Sequence, residues 1–165
     1  MGLWSALRRK TRLWKVWRTL EIGTYQNSEA LRTDLDRAGV YLSAGATNVL
    51  SKTVLTPDRQ VLNLVVVSVK NLGFSDNALA DALYERALNS GLKLCPPETG
   101  FLLGLKGDVD ENVYIAMKPA LNWQGDSVIL KVYKANPVMP MRVKSEYIFS
   151  FRYWYNDQRF VFVVD

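Results

Sequence analysis

The sequence predicts an α+β fold, and three observations lead to that prediction. Up to Cys95, stretches with the two-residue period of strands alternate with stretches that have the helical period. After Pro96 and Pro97 the helical periodicity disappears and strand-like runs follow. A length of 165 residues, 48% of them hydrophobic, suits a single domain with a substantial core. The predicted order is strand, helix, helix, strand, helix and then several strands.

The chain body begins with a predicted strand and a well-marked helix. Apolar and polar residues alternate over residues 19–24, and the pattern stops at a glycine. Asn27 or Ser28 can cap a helix that runs to about Ala38, with Leu31 and Leu35 pointing inward. Gly39 would close this helix.

A second short helix is predicted over residues 41–50, and a turn over residues 56–59. Residues 61–69 are so apolar that they predict a strand in the interior of a sheet. Ser75 or Asp76 would then cap a third helix that Gly91 ends. Its apolar face comprises Leu79, Leu83, Ala87 and Leu88.

The last third of the chain predicts strands alone. Apolar, β-branched and aromatic runs mark the strands at residues 101–105, 113–117, 127–133 and 159–164. Turn-forming residues separate them at 107–108, 123–125 and 136–137.

Residues 1–18 form a basic head in front of a nearly neutral domain, residues 19–165. The head contains six basic residues and no acidic one: Arg8, Arg9, Lys10, Arg12, Lys15 and Arg18. Its Leu and Trp residues recur with helical spacing, which predicts a basic amphipathic helix. Such a helix can pack on its own domain or on another subunit, lie on an anionic membrane or, less favoured here, bind nucleic acid.

The residues offer no constellation for catalysis. Histidine, the commonest general base, does not occur, and Cys95 therefore has no histidine to activate it. Asp108, Asp110 and Glu111 lack the spacing of a calcium loop, and no glycine-rich stretch has the phosphate-loop pattern. The sequence therefore favours a binding module over an enzyme, with no cofactor and no metal.

Location is less closely defined by the sequence. The start of the chain places charges and apolar residues in the wrong order for a classical secretory signal peptide. A single cysteine suits a reducing compartment. A cytoplasmic or virion-associated location is compatible with both observations.

Aromatic residues concentrate near the carboxyl end. Eight of the nineteen aromatic residues lie between Tyr147 and Phe162. Residues 159–164 predict a buried strand, whereas residues 147–155 interleave aromatic with short polar and charged side chains. The second composition is typical of a recognition surface, although a pair of strands with one aromatic face in the core would also produce it.

The chain resembles variable proteins of diversity-generating retroelements, which include uncharacterised microbial and viral proteins. The resemblance rests on residues 17–24, 62–74 and 90–96, and on the closing pattern Asn156-Asp-Gln-Arg-Phe-Val-Phe162. It implies a C-type-lectin-like fold: an antiparallel sheet with two to three flanking helices, in which residues 19–24 pair with residues 159–164. The chain lacks the disulfides and calcium motif of animal lectins, so neither calcium nor sugar binding is carried over.

The resemblance also implies a function. In these systems an error-prone reverse transcriptase rewrites adenine-rich codons near the 3′ end of the gene, and the altered residues bind a ligand or receptor. The hypervariable region would be about residues 145–158. The main diversified contacts would be Tyr147, Phe149, Phe151, Arg152, Tyr153, Trp154 and Tyr155, with Ser145, Glu146 and Ser150 secondary. The partner would be an unidentified macromolecule, in the first instance a protein.

Two alternatives come from other classes of protein. One is an accessory protein that binds nucleic acid or an anionic membrane through the basic head. The other is a viral structural or assembly protein, in which the head and the aromatic segment are subunit interfaces.

Overall fold

The structure is a computed structural model, and it describes residues 14–149 and 151–165. The α+β prediction is confirmed, because the described residues contain an eight-stranded sheet, a two-stranded sheet and four α-helices. The helices are α1 (Ser28–Arg37), α2 (Ala44–Lys52), α3 (Ala80–Asn89) and α4 (Glu98–Lys106).

Five of the six predicted strands are present, the exception being residues 101–105. Five further strands were not predicted. The strands are β1 (Arg18–Ile22), β2 (Tyr41–Leu42), β3 (Gln60–Ser68), β4 (Ala78–Leu79), β5 (Val113–Ile115), β6 (Ala120–Leu121), β7 (Ser127–Lys134), β8 (Met141–Tyr147), β9 (Tyr153–Trp154) and β10 (Arg159–Val164).

The predicted pairing of the first and last strands is wrong. The strand order in the large sheet is β1-β3-β10-β5-β7-β8-β2, with β6 beside β7. The antiparallel β3 therefore lies between β1 and β10, and its Leu64 is opposite both Arg18 and Val163. Its apolar run satisfies the prediction of an interior strand, because a strand paired on both edges is removed from water.

Helices α2 and α4 pack on one face of the sheet, and α1 packs against both of these helices. Glycines make the approach close: a Cβ added at Gly100 of α4 would lie 2.9 Å from the Leu130 side chain. A Cβ added at Gly45 of α2 would clash with the Ser145 hydroxyl oxygen, which lies 1.9 Å from that position. Helix α1 buries Leu31 and Leu35 beside them, as predicted, and Asn27 caps it.

The described residues cover only part of the width of the opposite face. The ring of Tyr84, on α3, contacts Phe162 of β10 at a centroid distance of 6.2 Å. The small β4–β9 sheet places Trp154 over Phe160 and Tyr114. The part of this face formed by β7 and β8 carries half-buried polar side chains instead.

Helix α4 replaces the strand predicted at residues 101–105. A short apolar run fits either a buried strand or a buried helix, and Gly100 and Gly104 lie one helical turn apart on the side that meets the sheet. The buried carboxylate of Glu98 accepts hydrogen bonds from the Thr56 amide, at 2.8 Å, and from the Thr56 hydroxyl. These contacts fix the start of the helix.

Helix α3 begins later than predicted. Residues 78–79 pair with β9, so neither Ser75 nor Asp76 caps the helix. Leu83 and Ala87 are buried as predicted, but Leu88 is exposed. Gly91 follows the helix with a positive φ of 87°, as expected of a stop.

The basic head lies largely outside the described residues, including Arg8, Arg9, Lys10 and Arg12. Residues 14–17 are irregular and Arg18 begins β1, so the predicted helix does not extend to residue 18. The Trp14 indole donates a 3.0 Å hydrogen bond to the Ser90 carbonyl, and Arg18 pairs with Asp108. This part of the head therefore packs on its own domain.

Candidate functional site

The aromatic segment, residues 147–155, is a connection with fixed ends. The chain leaves the large sheet at Tyr147 and enters it again at Arg159, and the aromatic segment lies between these two points. Backbone hydrogen bonds hold it between those points: the Ile148 amide donates to Ser127 at 3.0 Å, and the Lys70 amide donates to the Asn156 carbonyl at 3.0 Å. The pairing of β9 with β4 adds a further attachment.

Four of the predicted contact residues lie on the surface. The exposed fractions are 43% for Tyr147, 74% for Phe151, 60% for Tyr153 and 61% for Tyr155. Phe149 is half-buried, and its ring stacks between those of Tyr147 and Phe151, at 5.3 Å from each. Exposed rings in such number are suited to contact with another molecule, because each combines an apolar face with, in tyrosine, a polar hydroxyl.

Trp154 is not a surface residue, and its predicted contact role is wrong. Its side chain is fully buried, with the ring 4.8 Å from Tyr114 and 5.0 Å from Phe160. In an extended strand successive side chains point to opposite sides, so Trp154 faces the core while Tyr153 and Tyr155 face water. Together with the buried Ile148, it anchors the aromatic segment.

The charged residues of the region form an ion cluster. Glu146 pairs with Lys144 at 2.8 Å and with Arg152 at 3.4 Å. The Arg152 guanidinium also donates to the Tyr147 carbonyl at 2.6 Å and lies 3.9 Å above the Trp154 ring. These contacts give Arg152 and Glu146 a positioning role in addition to any contact with a partner.

The ion cluster shifts the pKa values of its members in the directions expected of a stable pair. Burial alone would raise the pKa of Glu146, but the hydrogen bond and charge of Lys144, with Arg152 and Lys131, outweigh burial and hold that pKa below its usual value. The hydrogen bond from Lys144 to Glu146 correspondingly raises the pKa of Lys144.

Ser145 and Ser150 were predicted as secondary contact residues. Ser145 is half-buried against α2, where its amide lies 3.3 Å from the Ser43 hydroxyl oxygen, so it packs under a helix and does not face a partner. Ser150 lies outside the described residues.

A cleft of about 460 Å³ lies beside Phe149 and was not indicated by the sequence. Its lining includes Asp81 and Tyr84 of α3, and Asp126 and Ser127 at the start of β7. These residues are distant in sequence, and only the pairing of β9 with β4 brings α3 beside the aromatic segment.

Two of the three acidic residues considered for catalysis are engaged in ion pairs. Asp108 pairs with Arg18, and Glu111 pairs with Arg159 at 2.8 Å. Among the described residues, no cluster of acidic and cysteine side chains could hold a metal ion. No helix in the same part of the chain is both long and apolar enough to span a membrane.

Cys95 is buried and is expected to be unreactive in the folded protein. Its thiol donates a 3.3 Å hydrogen bond to the Val161 carbonyl, and burial raises the pKa of the thiol well above its usual value. Because the thiolate is the reactive form, a chromogenic disulfide reagent should label the native protein at least about 100-fold more slowly than the protein in denaturant. Equal labelling rates, measured by absorbance, would contradict this placement.

Comparison of the chain with models of protein families, with curated proteins and with solved structures gave no match.

Proposed function

We propose that this is a target-binding protein that recognises another macromolecule, in the first instance a protein, through the exposed side chains of the aromatic segment. One observation carries the proposal. Tyr147, Phe151, Tyr153 and Tyr155 are exposed, whereas Ile148 and Trp154 between them are buried anchors. The region therefore separates side chains that support the fold from side chains that are free to contact a partner.

The chemistry of the exposed residues suits a protein partner. Tyr and Phe supply a large contact area at a small cost in conformational entropy, and Tyr adds a hydroxyl for hydrogen bonding. The neighbouring cleft beside Phe149 could receive a side chain of the partner, and Asp81 and Asp126 in its lining favour a basic one.

Diversification by a retroelement is the more specific part of the proposal. It would act on the exposed positions, because their side chains contribute little to the core, and would leave Trp154 and residues 159–164 unchanged. The C-type-lectin-like fold belongs to the same proposal in a modified form, with β3 inserted between the two terminal strands.

The neighbouring DNA tests the retroelement. We expect a second near-copy of the codons for roughly residues 145–164, differing only at adenines, beside a reverse transcriptase gene. If sequencing of the flanking DNA finds neither, this part of the proposal is wrong, while target binding through the aromatic segment is not affected.

The separation of anchors from contacts predicts which substitutions the fold tolerates. A quadruple variant with Tyr147, Phe151, Tyr153 and Tyr155 all changed to Ser should remain folded, with an unfolding free energy within about 2 kcal/mol of the parent. Urea denaturation followed by circular dichroism measures this quantity. As a matched control, the single change Ile148→Ser should destabilise the protein by a similar amount or more, since it places a hydroxyl in an apolar site. A quadruple variant that does not fold would show that these rings are structural.

A further inference from the structure

The part of the sheet face that α3 and β9 leave uncovered has an unusual composition. We call it the open sheet face, and its residues are Tyr41, Lys131, Tyr133, Arg142 and Lys144, all of them exposed or half-buried. Strand register places them together: Lys131 is opposite Lys144, Tyr133 is opposite Arg142, and Tyr41 is beside Arg142. Three cations and two tyrosine rings thus lie side by side on this face, with Arg142 between the two rings and Lys131 opposite Lys144.

Lys131 and Lys144, at the centre of the open sheet face, form an unfavourable cross-strand pair. Like charges directly opposite each other in an antiparallel pair destabilise a sheet. Lys144 is compensated by Glu146, but Lys131 has no carboxylate within ion-pair distance among the described residues. Its ammonium lies instead against two rings, 5.3 Å from the Tyr114 centroid and 5.1 Å from that of Tyr133.

Arg142 is a second cation without an acidic partner in the described part of the chain. Its guanidinium stacks 5.1 Å from the Tyr41 ring, and its buried Nε atom has no hydrogen-bond partner there. Burial lowers the pKa of Lys131, and the neighbouring charge of Lys144 lowers it further.

A cleft of about 370 Å³ adjoins the open sheet face at Lys131, and Tyr114 also lines it. Two acidic residues, Glu111 and Asp157, also line it. Glu111 is paired with Arg159, and Asp157 is exposed. The lining therefore carries two basic and two acidic side chains, and the excess of positive charge lies on the open sheet face itself.

We propose that the open sheet face binds single-stranded nucleic acid, with phosphates at Lys131, Lys144 and Arg142 and bases stacked on Tyr133 and Tyr41. Residues two apart on a strand are about 6.6 Å apart, so β7 presents the Lys131 cation one such step from the Tyr133 ring. Single-strand binding sites combine these two elements, a basic track for the backbone and aromatic rings for unpaired bases. A lipid surface is a poorer fit, because Lys131 and Arg142 lie beside tyrosine rings, and flat rings suit stacking with unpaired bases.

The full chain should be titrated into a labelled single-stranded oligonucleotide of about 15 nucleotides, with fluorescence anisotropy as the readout. The double variant K131Q/R142Q should weaken binding by about tenfold or more, and it should reduce the slope of log K against log salt by about 1.4, since each phosphate contact contributes about 0.7. The matched control K52Q/K118Q removes the same charge from exposed lysines elsewhere and should leave both quantities nearly unchanged.

Further variants separate this surface from the basic head. Y133L should weaken binding about fivefold or more through lost stacking, and K131R should restore the affinity lost in K131Q. The proposal is overturned if K131Q/R142Q binds like the parent while neutralising Arg8, Arg9, Lys10 and Arg12 abolishes binding. It is also overturned if duplex DNA or anionic vesicles bind more tightly than the single strand and depend on the same two residues. None of these outcomes bears on the aromatic segment.

Discussion

Replacing Trp154 by Ala is expected to lower the free energy of unfolding by about 3–5 kcal/mol. The ring is fully buried between Tyr114, Phe160 and the Arg152 guanidinium, and truncation would leave a cavity that these neighbours cannot fill without moving β9. The same change should release the aromatic segment, because β9 is attached to the rest of the fold through this side chain and its pairing with β4. Urea denaturation measures the loss of stability. The cleavage rate of the aromatic segment in limited proteolysis measures its release.

Tyr153→Ala is the matched control for this prediction. Tyr153 precedes Trp154 in the same two-residue strand but is 60% exposed, so its truncation should change stability by no more than about 1 kcal/mol. Trp154→Phe should lie between the two, because it retains most of the ring and removes an indole N–H that has no hydrogen-bond partner among the described residues. Equal losses for Trp154→Ala and Tyr153→Ala would refute the division of the segment into anchors and contacts.

The elements that sequence reasoning predicted correctly are those with local signals. Helix α1 has a capping Asn27, two inward leucines and a closing Gly39, all within its own sequence. Strand β10 has a run of β-branched and aromatic residues that suits a strand covered on both faces. The errors involve elements whose state depends on remote partners. Residues 98–106 form a helix whose Gly100 and Gly104 allow close packing on the sheet. Strand β9 depends on its pairing with Ala78 and Leu79, which are remote in sequence.

The same limit applies to the candidate sites. Composition located the aromatic segment, but it could not separate Trp154 from Tyr153, because only the tertiary structure decides which side of a short strand faces the core. The open sheet face has no local signature at all. Lys131 and Lys144 are thirteen positions apart in the printed sequence, and only the β7–β8 register brings them together. The missed strand β8 is thus the reason that this surface could not be predicted.

Gly23→Ala is expected to destabilise the protein by about 3 kcal/mol, through two effects that add. Gly23 has a φ of +73°, a conformation that costs an L-residue about 1–2 kcal/mol. A Cβ at this position would also lie 2.0 Å from the Asp58 carbonyl oxygen and 2.5 Å from its carbon. Because these are backbone atoms, no side-chain rotation relieves the collision, and the turn before β3 would have to shift. That turn sets the register between Ile22 and Gln60, so the change should also loosen β1.

Gly39→Ala isolates the two effects experimentally. Gly39 has the same φ of +73°, but a Cβ there would meet no atom within 4 Å. Its replacement should therefore cost about 1 kcal/mol, from conformational strain alone. The difference between the two unfolding free energies, measured in urea, then gives the contribution of the collision with Asp58. Amide hydrogen exchange should show faster exchange in β1 for Gly23→Ala only, since Gly39 lies at the end of α1, away from that strand. Similar losses in both variants would mean that the contact between Gly23 and Asp58 does not constrain the first strand.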